Sequence, residues 1–388
     1  MISRAKPRTL REVLEVRVHE SIRQIPEESW DALRGVSEAP FLSWKFLDIL
    51  EQTGCVRPDA GWMPHHLTFH AEDRLVGAVP AYLKGNSEGE FVFDHAWANA
   101  AHRAGIQYYP KLIVAIPFTP ATTPRLFIAE GQDEQALIRG LAEALQRIVE
   151  KIEISSAHVL FPDVAQSKLF AQTSLAERYG IQFHWKNHGY VTYDDFLAKF
   201  SSKRRNQWKR ERREMANQGI EIETLEGKDI TPEIIDTAFR FYTSTVNKFY
   251  WGRQYLNRAF FEEIVDKLGN GVQVVLARHE GRPIAGAWNF VGPNALFGRY
   301  WGAIEDRPFL HFNVCYYHSI EHCITRKLGR FEPGAGGEHK MSRGFEPTIT
   351  HSFHHLQDPR LDKAVRNYLP TERDVLAKEA ENPEIAFR

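Results

Sequence analysis

The sequence runs twice through a similar order of strand and helix signals, and this repetition constrains the fold more than any other feature. In order, the second half contains a strand at 220–227, helices at 230–250 and 256–271, three strands within 272–303, a helix at 310–328 and a strand at 330–333. These elements are distinguished by the spacing of their apolar residues, which differs between helices and strands. The second half is therefore predicted to have the order β-α-α-β-β-β-α-β.

The first half gives the same signals with more sequence between them. In order, it contains a strand near 13–22, helices after Pro26 and Pro40, a hairpin with its turn at Glu72 and Asp73, a helix at about 133–151 and a strand in AHVLFPD. Proline is favoured at the start of a helix, and a polar pair between two β-type runs favours a hairpin. A helix and a strand follow before a boundary near 186–194, so the sequence predicts domains of residues 1–190 and 191–388.

The two predicted hairpins also share a weak sequence similarity. The strings are DRLVGA at 73–78 and GRPIAGA at 281–287, which align if one residue is inserted. A match this short carries almost no weight alone, so the shared order of elements is the better indication of a duplicated fold.

The composition favours a globular protein from a reducing compartment. Lys and Arg total 49 against 50 for Asp and Glu, so any surface for a polyanion has to be local. The three cysteines include no C-x-x-C pair, which argues against a disulfide framework or a zinc ribbon. The basic N-terminal stretch lacks an apolar signal-peptide core, and no run of about 18 apolar residues occurs. We therefore expect a cytoplasmic protein without a membrane span.

Several long strings give the chain a family resemblance. They are PFLSWKFLDILEQTGC, GWMPHHL, YYPKLIVAIPFTPATTPRL, GRYWGA, LHFNVCYYHSIEHCI and RFEPGAGGEHKMSRGFEP. On these strings the chain resembles the bacterial FemAB-like "peptidoglycan biosynthesis/recognition" family of the GNAT acyltransferase superfamily. The resemblance implies an α/β fold of the α+β type, with two tandem GNAT-like domains, each a mixed, mostly antiparallel sheet flanked by helices. It also implies kinship with Fem-type enzymes, which move an amino acid from aminoacyl-tRNA to a peptidoglycan precursor.

A basic segment, KFSSKRRNQWKRERREM, opens the second half with eight Lys or Arg residues. It is similar to the basic helix that Fem-type enzymes carry at this position, and such a charge density can neutralise tRNA phosphates. The alternative is a solvated helix face, with Phe200, Trp208 and Met215 packed against the core. The predicted polyanion-binding residues are Lys203, Arg204, Arg205, Lys209, Arg210, Arg212 and Arg213.

The strand GRYWGA is the predicted central strand of the second domain, where a GNAT fold splays open to take its acyl donor. Arg299 and Trp301 alternate with Tyr300, and we predict that all three bind substrate. An arginine in an aromatic strand needs an anionic partner, because an unpaired buried charge is costly. That partner is either a substrate group or an internal carboxylate, Glu332 or Glu338.

The loop FEPGAGGEHKMSRGFEP is the predicted active-site loop, because its glycines let a backbone approach a ligand closely. Amine acylation needs a base for the ammonium proton and donors for the developing oxyanion. The predicted catalytic residues are Glu332, Glu338 and His339, with Lys340 and Arg343 binding substrate. A connecting loop with solvated charges is the alternative. In the first half, Tyr109, Lys111 and Arg125 are predicted to form a second wall or an acceptor groove.

The turn after the central strand bears on the acyl donor. GNAT enzymes that use acyl-CoA commonly have glycines there, and helix N-terminal amides hold the pyrophosphate. Here the turn reads IEDRPFLHF, with Asp306 and Pro308 as expected cap and first-turn residues. Its acids repel a phosphate, so aminoacyl-tRNA fits better than acyl-CoA as the donor co-substrate. No tightly bound cofactor is expected.

The string H-x-x-E-H at 318–322 is formally a zinc motif. No third ligand is evident after it, so we expect satisfied helix histidines and no metal.

The sequence thus predicts an acyltransferase that transfers an acyl or aminoacyl group to an amine on a small molecule, peptide or cell-wall precursor. The alternative from another class is a non-catalytic module that binds such a precursor. No sequence feature indicates the acceptor or the oligomeric state.

Overall fold

The computed structural model describes residues 14–248 and 253–381, apart from the side chain of Glu338. Val13, within the first predicted strand, lies outside the described residues. The strands of the first half are β1 (Glu15–His19), β2 (Trp62–Pro64), β3 (His66–Ala71), β4 (Arg74–Val79), β5 (Ala81–Lys84), β6 (Lys111–Val114), β7 (Phe127–Ile128), β8 (Ser156–Leu160) and β9 (Ala176–Lys186). The helices of the first half are α1 (Glu27–Asp31), α2 (Trp44–Gln52), α3 (His95–Arg103), α4 (Glu134–Lys151) and α5 (Val164–Phe170).

The second half follows the predicted order of elements. The strands after β9 are β10 (Ile220–Glu226), β11 (Val272–His279), β12 (Arg282–Val291), β13 (Ala295–Ala303), β14 (Arg330–Glu332) and β15 (Glu346–Leu356). The helices after β9 are α6 (Tyr193–Leu197), α7 (Ser202–Asn217), α8 (Pro232–Val246), α9 (Arg258–Leu268), α10 (Leu310–Phe312), α11 (His318–Thr325) and α12 (Pro359–Ala380). A π-helical segment, Asn313–Tyr317, joins α10 to α11.

Strands of the two halves interleave in one large sheet. Over the described residues its order is β10-β11-β12-β13-β14-β9-β15-β8-β6-β5-β2, and a smaller sheet has the order β1-β3-β4-β7. β9 of the first half lies between β14 and β15 and is antiparallel to both. Each half thus completes its part of the sheet with a strand from the other half. The predicted domain boundary between residues 190 and 191 stays a prediction.

The hairpins β3–β4 and β11–β12 have the same register. The turn residues 72–73 and 280–281 all have positive φ, which is the geometry of the tight type I′ turn. A bulge lies at the same distance from each turn, opposite 69–70 in one hairpin and 277–278 in the other. The similar strings of the two hairpins therefore occupy equivalent positions, and the inserted residue in the sequence alignment is wrong.

Apolar side chains of both halves share a core. The ring centroids of Phe41 and Phe297 lie 4.9 Å apart, and those of Phe46 and Phe290 lie 5.6 Å apart. All four side chains are buried, so this packing fixes β12 and β13 against the first half. In the described part of the chain, no helix is long and apolar enough to cross a membrane.

Candidate functional site

The candidate site is the gap where β13 and β14 diverge. The two strands pair in parallel from Ala295 to Phe297, and β13 then continues to Ala303 without β14 beside it. In the pairing of β13 with β12, Tyr300 lies opposite Trp288 and Gly298 lies opposite Asn289. Arg299 is therefore the extra residue of a β-bulge, a feature that re-aims side chains and often lies beside functional sites. We call this opening, with its two cavities, the β13–β14 cleft.

Two cavities lie in the β13–β14 cleft. The inner cavity, of about 70 Å³, is lined by residues that include Asn289, Arg299 and Tyr316. The outer cavity, of about 300 Å³, is lined by the turn and helix start at 305–312. Trp301 and His311 line both cavities, so the two are neighbours.

Arg299 projects into the cleft with hydrogen-bonding capacity to spare. Its Nη2 donates to the carbonyl oxygen of Phe118 in the first half, whereas its Nε is buried without a partner. Burial lowers the pKa of Arg299. Of the two carboxylates predicted to pair with it, Glu332 bonds elsewhere and the side chain of Glu338 lies outside the described structure. Among the described side chains, Arg299 makes no salt bridge.

Glu332 joins the two halves of the chain, and its contacts do not favour its predicted role as a catalytic base. Its oxygens accept bonds from the amide and hydroxyl of Thr122 at 3.0 and 2.6 Å, and from Nε of Arg330 at 2.9 Å. Burial by itself raises its pKa, but His184, Arg330 and the two bonds from Thr122 together outweigh that effect, so the net pKa is lowered. A buried carboxylate with these partners holds its charge and is a poor proton acceptor.

The predicted catalytic residue His339 pairs with Tyr316, which the sequence did not single out. Nε2 of His339 lies 3.0 Å from the Tyr316 hydroxyl. Burial, with nearby Lys340 and Arg343, lowers the pKa of His339, and burial raises the pKa of Tyr316. At neutral pH the imidazole is therefore unprotonated and the phenol keeps its proton, which suits a proton relay.

His311 is a second neutral imidazole that sequence reasoning missed. Its ring packs edge-on to Trp301 and Tyr316, with centroid distances of 5.0 and 5.1 Å. Burial lowers its pKa to about 4. Cys315 lines the inner cavity one helical turn further on, but burial raises the pKa of its thiol, so it is a poor nucleophile. His311 and Cys315 are four residues apart in a predicted helix that follows the predicted central strand. This spacing is the sequence signal that could have placed both side chains toward the cavity.

Lys340 and Arg343 lie beside the cleft and are buried. Nζ of Lys340 donates to the carbonyl oxygens of Gly334 and Gly336 at 2.8 and 2.7 Å, and burial lowers its pKa to about 8. Lys340 thus shapes the glycine-rich loop, and its predicted direct contact with substrate is not supported by this geometry. Arg343 stacks on Phe312, with its Cζ 3.3 Å from the ring centroid.

Tyr300 and Trp301 follow Arg299 along β13 and have different surroundings. The Tyr300 ring packs against Tyr242, with centroids 5.0 Å apart, so much of it belongs to the core. Trp301 forms the wall between the inner and outer cavities. Of these two predicted binding residues, Trp301 is the one with more room for a ligand.

Of the first-half residues predicted to form an acceptor groove, Arg125 and Lys111 are buried and Tyr109 is half-buried, so the two cations are not open to an acceptor. Arg125 is fully buried; its guanidinium donates to carbonyl oxygens of Leu160 and Ala121 at 2.6 and 2.7 Å, among others. Lys111 forms buried salt bridges with Glu90 and Asp94 at 2.6 and 2.5 Å. The hydroxyl of Tyr109 bonds to Ser87 Oγ at 2.7 Å. These groups are occupied by the protein itself.

Helix α7 has the predicted apolar face and a divided set of cations. Phe200, Trp208 and Met215 are buried, as predicted. Arg205 bonds to the Phe200 carbonyl and Ser202, and Arg212 pairs with Glu321, so these two are less available to a polyanion. The exposed cations of α7 are Lys203, Lys209, Arg210 and Arg213. Lys209 lies 3.8 Å from Asp194, and no ion pair involves the other three within the described residues.

The turn between β13 and α10 departs from its predicted cap. Phe309, in the left-handed conformation, occupies the N-cap position in place of Asp306. Glu305 pairs with Arg307 at 2.8 Å, which offsets part of the acidic charge. The H-x-x-E-H histidines have internal partners, since His318 bonds to Thr224 at 2.7 Å and His322 to Gln273 at 2.9 Å. Within the described residues, no group of three or more His, Cys, Asp or Glu is arranged to hold a metal.

Comparison with known proteins identifies the family. A family model described as FemAB-like peptidoglycan biosynthesis/recognition matches residues 21–387. The chain belongs to the FemAB-like family. No curated protein matches it.

Solved structures share the fold at low sequence identity. The structure is similar to FemX, with a TM-score of 0.50, 10% identity, and coverage of 91% of this chain and 100% of that one. It is similar to the C-terminal domain of a putative lysylphosphatidylglycerol synthetase from Agrobacterium fabrum, with a TM-score of 0.51, 11% identity and coverage of 89% and 95%. A tandem GNAT protein of the clavulanic acid pathway also matches, with a TM-score of 0.44, 13% identity and coverage of 89% and 99%. The predicted tandem GNAT-like α/β fold is confirmed, and these likenesses concern the fold alone.

Proposed function

We propose that this FemAB-like protein transfers an acyl or aminoacyl group to an amine acceptor in the β13–β14 cleft. The observation that carries the proposal is the Tyr316–His339 hydrogen bond beside a cavity lined by Tyr316 and by Arg299, whose Nε has no hydrogen-bond partner. Amine acylation needs a proton acceptor and an oxyanion donor close together, and these groups supply both. The family description supports an acceptor that is an amine on a peptide or another cell-wall precursor.

The proposed reaction is a direct displacement at the donor carbonyl. The amine nitrogen forms a bond to the carbonyl carbon, and Arg299 stabilises the negative charge on the carbonyl oxygen. The amine proton passes to the Tyr316 oxygen while Tyr316 gives its own proton to Nε2 of His339. Collapse then breaks the bond from the carbonyl carbon to the leaving oxygen or sulfur, and the leaving group takes up the proton through the same pair.

We propose aminoacyl-tRNA as the donor, with acyl-CoA as the alternative co-substrate. The exposed cations of α7 support this choice, because α7 packs against the π-helical segment Asn313–Tyr317 beside the cleft and carries a basic surface there. The acids at 305–306 disfavour a CoA pyrophosphate at the start of α10. A tRNA donor implies that the reaction takes place in the cytoplasm.

The test is label transfer. Purified protein is incubated with an amine library and either tRNA charged with radiolabelled amino acids or labelled acyl-CoA. The wild type is expected to move label from charged tRNA, and Tyr316→Phe and His339→Gln to lose about 10²-fold or more in rate. Tyr368→Phe and His102→Gln replace exposed residues away from the cleft and serve as matched controls. Transfer from acyl-CoA alone would replace the donor, and precursor binding without any transfer would favour the non-catalytic recognition module.

A further inference from the structure

Two arginines of separate elements lie within electrostatic range of each other beside the β13–β14 cleft. Arg204 lies on the first turn of α7, and Arg343 ends the 3₁₀ turn Glu338–Arg343 of the glycine-rich loop. They are close enough that the charge on Arg343 is one cause, after burial, of the lowered pKa of Arg204. We call them the arginine pair.

Both members of the arginine pair have a buried nitrogen without a hydrogen-bond partner. In Arg343, which is 9% exposed, this atom is Nε. In Arg204, which is half-buried, it is Nη1. Arg343 makes its hydrogen bonds through Nη1, to the His339 carbonyl oxygen at 3.2 Å and Ser342 Oγ at 2.7 Å. An unpaired buried donor is costly, and two such donors on neighbouring cations call for an acceptor that the described side chains do not provide.

One buried carboxylate, Glu211, forms a long ion pair with Arg343 and spends its hydrogen bonds on other partners. Glu211 is buried, and its oxygens accept bonds from Gln207 at 2.8 Å and from the Tyr317 hydroxyl at 2.5 Å. Nη2 of Arg343 lies 3.9 Å from Glu211, which is beyond hydrogen-bonding distance. Buried Lys340 adds a further amine on the same loop. Among the described side chains, cations outnumber carboxylates at this position.

We propose that the arginine pair binds the terminal phosphate of a small-molecule substrate of the transfer reaction. Guanidinium groups present planar arrays of donors that suit phosphate oxygens, and a doubly charged phosphate matches two arginines better than a single carboxylate does. Because Arg343 is buried against Phe312, the site admits a phosphate end rather than a continuous nucleic-acid backbone. Phosphate bonds to Nε of Arg343 and Nη1 of Arg204 would satisfy both unpaired donors.

The position of the pair links phosphate binding to the cleft. Phe312, on which Arg343 stacks, lines the outer cavity, and the carbonyl oxygen that Arg343 contacts belongs to His339. A phosphate held there places the remainder of the substrate beside Tyr316 and His339. This role of the phosphate rests on the proposed function, whereas phosphate binding itself does not.

The test is calorimetric titration of the full chain with pyrophosphate. Wild-type protein is expected to bind it, and Arg204→Gln and Arg343→Gln to weaken binding by about tenfold or more, because each removes a charge-assisted hydrogen bond. Arg213→Gln removes an exposed cation of the same helix and is expected to stay within about twofold of wild type. Arg204 is half-buried, so Arg204→Gln stays informative even if Arg343→Gln melts early.

Three results would overturn the assignment. The first is wild-type protein that does not bind pyrophosphate. The second is an equal loss of binding in Arg204→Gln and Arg213→Gln, which would indicate general surface charge. The third, from a competition experiment with deacylated tRNA, is a site that binds tRNA and excludes pyrophosphate. Phosphate binding without label transfer would count against the proposed function alone, and label transfer without phosphate binding would count against this site alone.

Discussion

The gap after the fourth strand of the duplicated order is filled in the first half and open in the second. In the first half, β7 and β8 belong to different sheets, and Arg125 and Gln166 occupy the space between them. In the second half, β13 and β14 separate around two cavities. Gly77 and Ala285 are equivalent residues of the two hairpins, and they pair with Ile128 and Ala303. Three residues before each of these partners lie Arg125 and Tyr300, so Arg125 occupies the position of Tyr300, next to Arg299.

The two arginines differ in how many of their donors the protein uses. Nε and both terminal nitrogens of Arg125 donate to oxygens, including the Leu160 carbonyl at 2.6 Å. The side-chain amide of Gln166 replaces the hydrogen bonds that a neighbouring strand would make. It bonds to the backbone of Arg125 and Leu126 at 2.7 to 3.1 Å. Arg299 uses Nη2 and leaves Nε unpaired. The duplicated scaffold thus uses one arginine to close a gap and keeps another available for a ligand.

The largest expected loss of stability comes from a substitution in the filled gap between β7 and β8. Arg125→Met removes a fully buried cation and leaves carbonyl oxygens of several segments without donors. We expect the free energy of unfolding to fall by about 3–5 kcal/mol. Urea denaturation followed by circular dichroism measures it. A loss no larger than that of an exposed arginine, such as Arg147→Met, would show that Arg125 does not hold the gap closed.

A smaller loss of stability is expected at Glu332, whose hydrogen bonds connect the two halves. Glu332→Gln replaces a charged acceptor of three bonds by an amide that cannot accept through its nitrogen. We expect a loss of about 2 kcal/mol at pH 7. Because the pKa of Glu332 is lowered in the folded state, the advantage of the wild type is present above the unfolded pKa. It disappears as the pH falls through the folded pKa.

The unfolding free energies of Glu332→Gln, of a control variant and of wild type at pH 7 and pH 3 measure this effect. Glu143→Gln breaks an exposed pair with Arg147 and serves as the control, with an unchanged urea midpoint. An equal difference between Glu332→Gln and wild type at both pH values would contradict the assignment of Glu332 as a charged tie.

Acid pH tests a junction that both halves share. His158 of β8 and His354 of β15 are bonded through their Nδ1 atoms at 2.7 Å, and burial lowers the pKa of His158 to about 3. Between about pH 6.5 and that value, the unfolded chain binds a proton that the folded chain excludes. Stability therefore falls as the pH falls, by up to about 1.4 kcal/mol per pH unit for this group.

His158→Gln should reduce that slope in urea midpoints measured from pH 7 to pH 5. His102→Gln, at an exposed site, should leave the slope unchanged. A wild-type stability that is constant over this range would contradict the neutral histidine pair.

The smallest expected effect on stability is at the surface of α7. Replacing Lys203, Arg210 and Arg213 together by Gln leaves the buried face of the helix untouched, so unfolding should change by less than about 0.5 kcal/mol. If tRNA phosphates contact these residues, the slope of log affinity against log salt should become less steep by about 0.7 per lost contact. Filter binding of tRNA at several salt concentrations measures it. An unchanged slope would remove α7 from the tRNA surface.

The sequence predicted local elements well and long-range contacts poorly. Apolar periodicity identified the meander and the buried face of α7, because these depend on neighbouring residues. It did not separate Arg125 from Arg299, since the difference lies in oxygens of distant segments such as Leu160 and Phe118. The exchange of β9 and β15 between the halves left no local signal.

The strand and the loop predicted to form the site lie at the β13–β14 cleft, whereas some of the side chains predicted to act there have internal partners. Glu332 attracted attention as a carboxylate in a glycine-rich loop, and its partner Thr122 is 210 residues away in the sequence. Tyr316 and His311 lie in an aromatic helical stretch and face the inner cavity. Which of its residues face the cavity depends on the strand bulge at Arg299. That bulge has no sequence signature beyond the adjacent glycine.

The measurement that tests the open cleft most directly is the rate of label transfer by Arg299→Met, determined beside its melting temperature. Because Arg299 has one unpaired buried donor and no salt bridge among the described side chains, the variant should melt within a few degrees of wild type. Its transfer rate should fall by about 10²-fold or more, as expected for loss of an oxyanion donor. Wild-type transfer by a folded Arg299→Met protein would contradict the account and move the site away from the β13–β14 cleft.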